Sequence, residues 1–208
     1  MSLLLLPFVL LAVAPADPDA EGVLAALGKA GRELKTMKAS FLDTKVLVLL
    51  DERQETRGTV FLQVPGRLRW EYTTPQPGVM MIKDGRFQRY VPQTKQVFRG
   101  QARGEADLLV GFGPGAADLG RKYEVTLLPE EKVGAVPAYV LDLEPRTPGL
   151  FSAIRLWVDK ARFIPVQTRL TEPTGDHTTI RFEDVVINRP LPSGAFELKL
   201  PRDVVEVE

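Results

Sequence analysis

A chain of 208 residues suits one domain of ordinary size. Acidic and basic side chains balance at 27 each, which leaves no net charge to hold a nucleic-acid backbone. The absence of cysteine excludes disulfides, zinc–thiolate sites and thiol catalysis.

Ser2 to Val13 is almost wholly apolar, and Ala14-Pro15-Ala16 follows with small residues at the two positions a signal peptidase reads. The run is too short to span a bilayer. Residues 1–16 are therefore expected to be an export signal, although no Lys or Arg precedes the apolar run. Residues 17–208 are expected to form a single mature domain, soluble after cleavage. Asp17 and Pro18 suit the N-cap and first position of a helix. Val23, Leu24, Leu27, Leu34 and Met37 then recur at three-to-four spacing, which predicts a long helix with one apolar face. That face packs on a core and is compatible with lining a pocket.

From Ala39 the pattern becomes extended. Strands are expected at Ala39–Leu50 and, after a polar turn at Asp51–Glu55, at Thr56–Val64, Arg67–Thr73, Val79–Ile82, Arg86–Tyr90 and Lys95–Arg99. In the clearest of them Leu68, Trp70 and Tyr72 alternate with Arg67, Arg69 and Glu71, giving one dry face and one wet face. Pro65-Gly66 and Asp84-Gly85 are turn dipeptides that fold neighbours into antiparallel hairpins. Ala106–Gly111 reads as a short helix, followed by a glycine-hinged loop through Gly120. Strands resume at Lys122–Leu128, Ala138–Leu143, Ser152–Val158, Phe163–Thr171 and Thr178–Val186, and a short run, Val204–Val207, closes the chain. Strand follows strand without helical crossovers, so the class is mainly β (α+β), with an antiparallel sheet of about eleven strands. A sheet this wide curls, and the helices are the available cover for its concave face.

Residues that would do chemistry are scarce. His177, the one histidine, falls in a predicted hairpin turn, and without a second His or a Cys no metal site is expected. None of the serines lies in a G-x-S-x-G elbow. Asp142 and Glu144 share a strand face and are expected to point to water, not to flank a scissile bond. Gly111 to Ala116 loosely matches a dinucleotide fingerprint, but Pro114 removes an amide where phosphate would sit and no parallel sheet surrounds it. Arg67, Arg69, Arg86, Arg89, Arg99 and Arg103 crowd one region. They are expected mostly on a solvated convex side, with docking of an acidic partner or of anionic headgroups as the functional alternative. No enzyme activity, metal or cofactor is expected.

The first strand contains KASFLDTKV, and GTVFLQVPGRLRWEY, a Pro, an Asp-Gly pair and Tyr90-Val91-Pro92 follow. The C-terminal half adds LWVDKARFIPVQTRL, a Gly-bearing hairpin, IRFEDVVIN and FELKLP. In order and spacing these resemble the periplasmic outer-membrane lipoprotein carrier protein (LolA) family over essentially the whole mature chain. The resemblance implies an incomplete antiparallel β-barrel of about eleven strands, its open side covered by helices, with lipoprotein acyl chains held between. It implies a monomeric periplasmic chaperone that takes acylated lipoproteins from an inner-membrane ABC transporter complex and gives them to an outer-membrane receptor.

Mapped by position, Val60, Leu62, Val64, Leu68, Trp70 and Tyr72 fall on the cavity side, in agreement with the period-two pattern. Met80, Ile82, Leu24, Leu27, Leu108 and Phe112 complete the expected lipid-binding set. There is one departure: family members carry a cavity-facing Arg, which latches the lid, where this chain has Val64 before Pro65. The lid, expected at Gly104–Gly120, would then be held by apolar contacts from Leu108, Leu109 and Phe112. Two other readings stay open: a same-fold module that senses mislocalised lipoproteins and binds a regulator, and a carrier of another lipid.

Overall fold

A computed structural model describes residues 18–102 and 109–207. The expected export signal and Leu108 lie outside the described residues. Helix α1 runs Ala20–Glu33, and its N-cap is Asp19, whose carboxylate accepts the Gly22 amide at 2.8 Å. The helix therefore starts after Pro18, not on it. It also ends before Leu34 and Met37, which the three-to-four spacing had placed on its face. The reason is distant in sequence: the Asn188 side chain donates to the Glu33 carbonyl at 3.1 Å and accepts the Lys35 amide at 2.7 Å. One amide thus caps the helix end and turns the chain into the sheet.

The strands are β1 Thr36–Leu47, β2 Glu52–Gln63, β3 Arg67–Thr74, β4 Gly78–Lys83, β5 Arg86–Val91 and β6 Gln96–Gln101. A 3-10 turn at Pro114–Asp118 and a short helix α2, Leu119–Lys122, lead into β7 Tyr123–Val133. Then come β8 Val136–Pro145, β9 Ala153–Asp159, β10 Pro165–Thr171, β11 His177–Ile187 and β12 Val205–Val207. All twelve belong to one sheet in the order β12-β6-β5-β4-β3-β2-β1-β11-β10-β9-β8-β7. The edges β12 and β7 do not meet, so the barrel stays open.

Three expectations are corrected here. Asp51–Glu55 is not a turn: β2 begins at Glu52, with Glu52 opposite Leu47 and Glu55 opposite Thr44. Its polarity marks an exposed strand, and the turn itself is made by Val48–Leu50 and by Asp51 at φ 50°. His177 is the first residue of β11, not a turn residue. The closing run is a twelfth strand, and it pairs with β6 in parallel, Val205 opposite Gln96, so the sheet is antiparallel except at this edge. Lys95 and Arg99 of the β6 edge form ion pairs with Asp203 and Glu206 there.

To reach that edge the chain crosses the outer face of the sheet. Phe196 buries Phe61 and Met81, the out-facing neighbours of the cavity strands, together with Leu191, Ala195 and Leu198. The convex side is therefore only partly wet. Arg69, expected in solvent, is 13% exposed and donates to the Glu71 carboxylate at 2.7 Å and to the Glu197 carbonyl at 2.8 Å. Arg89 is opposite Met80 across β4–β5, on the inner face, and Arg103 lies outside the described residues.

Candidate functional site

The inner face of β2, β3 and β4 is one apolar wall. Val60 stands opposite Trp70 and Leu62 opposite Leu68 across β2–β3, while Leu68 faces Ile82 and Trp70 faces Met80 across β3–β4. Because side chains alternate along a strand, these pairs all project to one side. Val60, Leu68, Trp70, Met80 and Ile82 are buried there, with Leu62, Val64 and Tyr72 packed against them. The strand residues singled out from the sequence thus form one surface.

Phe41 on β1 and Phe182 on β11, which sequence reading did not select, extend that wall. The ring of Phe41 meets Trp70 edge-on at 4.5 Å and Tyr72 at 5.8 Å between centroids. Ala39 and Phe41 alternate with Lys38 and Ser40, so the same period-two signal that marked Trp70 was present.

The segment after residue 108 lies over this wall. Leu109 and Phe112 are buried in the same cluster, and the Phe112 ring packs on Phe182. Val64, where an Arg was expected from the family resemblance, donates its amide to the Lys35 carbonyl at 2.9 Å. Its side chain faces Gly113, where an added Cβ would sit 3.7 Å from Val64 Cγ2. On the other side the segment presses on α1. Gly31 is required there, because a Cβ would come within 2.2 Å of the Gly113 carbonyl oxygen. Part of the glycine-rich stretch thus makes a close helix contact where the sequence predicts a hinged loop.

Leu24 and Leu27 of α1 sit elsewhere. Leu27 is buried in a second apolar cluster with Leu141, Leu156 and Leu170 of β8–β10, and Leu24 packs beside it. They cover the other half of the concave face, not the β2–β4 wall.

Two hollows open at the inner face of β2–β5, one at each end. At the β2–β3 turn a hollow of about 270 Å³ is lined by Leu62, Val64, Leu68, Ile82, Leu109 and Phe112. At the β3–β4 turn a cavity of about 780 Å³ is lined by Thr56, Tyr72, Pro75, Met80, Phe87 and Arg89 among others. Between them the rings of Phe41, Trp70, Phe112 and Phe182 fill the space.

Polar groups on this face are few. Burial pushes the Asp43 carboxyl up to about 6, against the nearby Lys45 charge. Burial also pushes the Tyr72 hydroxyl up to about 12, helped by the Asp43 charge and opposed by Arg89. The Trp70 indole N–H is buried with no hydrogen-bond partner among the described residues. Asp142 is engaged by Arg155 at 2.8 Å, and the His177 Nδ1 lies 3.4 Å from the Gly175 carbonyl oxygen. The geometry can hold an apolar chain, and among the described residues it presents no nucleophile beside a base.

Among the described residues no helix is long and apolar enough to cross a membrane. A sequence model of the outer membrane lipoprotein carrier protein LolA matches residues 32–199. An outer-membrane lipoprotein carrier protein of Azotobacter vinelandii is 26% identical over 208 residues, covering 98% of this chain and 97% of the relative. Among solved structures, an uncharacterized conserved protein from Thermus thermophilus superposes with a TM-score of 0.60 at 14% identity, over 90% of this chain and 98% of that one. The Pseudomonas aeruginosa MucA/MucB complex gives a chain with a TM-score of 0.55 at 19% identity, over 86% of this chain and 61% of that one. The two structural likenesses show a shared fold.

Proposed function

This chain belongs to the outer membrane lipoprotein carrier protein family, and we propose that it is a non-catalytic periplasmic carrier that shields lipoprotein acyl chains against the inner wall of its half-barrel. The observation that carries the reading is the continuous apolar surface of Val60, Leu62, Leu68, Trp70, Met80 and Ile82 beneath Leu109 and Phe112. An acylated protein cannot cross water with its chains exposed. At roughly 0.8 kcal/mol per CH₂, one ~16-carbon chain costs on the order of 12 kcal/mol.

The ring-filled space implies how loading works. Acyl chains enter by displacing Phe112 and Leu109, so apolar contacts of the lid are exchanged for apolar contacts of the cargo. Gain and loss are similar in kind, which keeps the loaded and empty states close in free energy. Cargo can then be passed to a receptor that binds it more tightly, without a nucleotide. In this reading the mature domain begins after residue 16, an inner-membrane ABC transporter complex supplies the lipoprotein and an outer-membrane receptor accepts it.

The test is purification of the exported protein from its own periplasm, followed by mass spectrometry of what is bound. An acylated protein is expected, whereas free phospholipid alone would favour a carrier of another lipid. In parallel, Leu68→Glu places an unpaired carboxylate in the wall and is expected to abolish acyl-peptide binding with the fold retained. Lys83→Glu, at an exposed position on the outer face of β4, is expected to keep it. Equal loss in both would reject the inner wall as the binding surface.

A further inference from the structure

The β1–β2 hairpin ends in Val48-Leu49-Leu50, three consecutive apolar residues that are 51%, 85% and 70% exposed. The tip is held, not frayed. The Val48 amide donates to the Asp176 carboxylate at 2.8 Å, and Asp51 closes the turn in the left-handed conformation. A polar turn would fold as well, so the three side chains are not explained by the hairpin itself.

Strand register shows what surrounds them. Val46 stands opposite His177, Thr171 opposite His177, and Ala153 opposite Thr171. The β1–β2 tip, the β10–β11 turn and the loop between β8 and β9 therefore emerge at the same end of the sheet. That last loop carries Leu150, 70% exposed. Three strand spacings, about 14 Å, separate it from the hairpin tip. Four of the six large apolar side chains exposed among the described residues thus stand at one end. The cavity lined by Tyr72, Met80 and Phe87 lies toward this end too, beside the β3–β4 turn at Pro75–Pro77.

We propose that this end of the sheet is a membrane-docking surface, with Val48, Leu49, Leu50 and Leu150 entering the headgroup–acyl boundary of a lipid bilayer. Two narrow tips offer far less than the roughly 800 Å² per partner of an ordinary protein interface, and the hollow of about 430 Å³ beside Leu150, between Arg121, Pro145 and Phe151, does not reach the hairpin tip. A bilayer needs no complementary shape, only apolar side chains that reach it. Beside the hairpin tip Lys45 is paired with Glu172 and Arg53 with Glu55, and the adjoining Asp51 and Glu52 are acidic, so the attraction there is hydrophobic and not selective for anionic lipid. Docked in this way, the carrier turns the mouth of its cavity toward the membrane. The inference stands on exposure and register, whatever the cavity carries.

The test is flotation of the mature protein with phosphatidylcholine vesicles. Wild type is expected to partition into the vesicle fraction at low and high salt alike. Leu49→Glu combined with Leu50→Glu is expected to lower the partition coefficient at least tenfold. Val186→Glu, a 48% exposed apolar residue at the other end of the sheet, should leave it unchanged. All three proteins should bind acyl peptide alike, which separates this surface from the cavity. Because the chain has no cysteine, Leu49→Cys and Val186→Cys accept a polarity-sensitive dye, and vesicles should shift the first to the blue only. The proposal is overturned if wild type stays in the aqueous phase, if salt removes the binding, or if both ends respond equally. A double variant that blocks cargo hand-over while wild type ignores vesicles would assign the tips to a protein partner instead.

Discussion

Phe112 meets Phe182 edge to face, with ring centroids 5.2 Å apart and planes at 79°. Phe182 belongs to β11, and Phe112 to the segment that lies over the apolar wall, so this contact joins cover to sheet. Removing the Phe112 ring costs about 3–5 kcal/mol of local packing. Phe112→Ala is therefore expected to speed amide hydrogen exchange in residues 109–120 of the empty protein, while exchange in β8 and β9 stays slow. Unchanged exchange in 109–120 would mean that the segment is held from α1 alone.

The helix side of the same segment supplies an opposite-sign test. On propensity alone Gly31→Ala stabilises a helix by about 1 kcal/mol. Here the new methyl would meet the Gly113 carbonyl oxygen at 2.2 Å, a contact neither backbone can absorb without moving. Overpacking of that kind costs about 1–3 kcal/mol, so the net effect is expected to be destabilising. Urea denaturation decides it: a raised midpoint would show that α1 and the 113–117 turn are free to separate.

Trp70 buries an indole N–H with no acceptor among the described residues, while its ring is only 2% exposed. An unmet donor costs about 1–3 kcal/mol, and the ester carbonyl of a bound glyceride would relieve it. Trp70→Phe is expected to weaken binding of an ester-linked diacyl ligand roughly fivefold, about 1 kcal/mol, and to leave a plain hydrocarbon chain of equal length bound nearly as before. Titration of both ligands measures the difference. An identical loss for the two would assign Trp70 to packing only.

Asp43 predicts a pH dependence of stability. Its pKa is pushed up to about 6 by burial, above the ordinary range near 3.9. Between those values the folded state holds a proton that the unfolded chain has released, so stability falls as pH rises through the window. The loss levels off above pH 6 and amounts to on the order of 3 kcal/mol. Asp43→Asn is expected to flatten this slope and to be the more stable protein at neutral pH. Urea midpoints from pH 4 to 7.5 check it; parallel profiles would mean that Asp43 is solvated.

Much of the wall is legible along the chain because its information is local. Leu68, Trp70 and Tyr72 alternate with Arg67, Arg69 and Glu71, and a strand's period of two turns that alternation into two faces. Pro65-Gly66 and Asp84-Gly85 likewise set the hairpins, since turn chemistry acts within a few residues. The rest depended on pairing and packing partners that no local period shows. Glu52–Glu55 is polar throughout and becomes strand because β1 pairs with it. α1 stops at Glu33 because Asn188, 155 positions on, takes its carbonyl. Arg69 has the parity of a solvated residue and is covered because the chain returns over the outer face, with Phe196 on Phe61 and Met81. Periodicity tells which residues share a face. Only the folded chain decides what lies against that face, because the covering segment is chosen by packing between elements and leaves no period of its own.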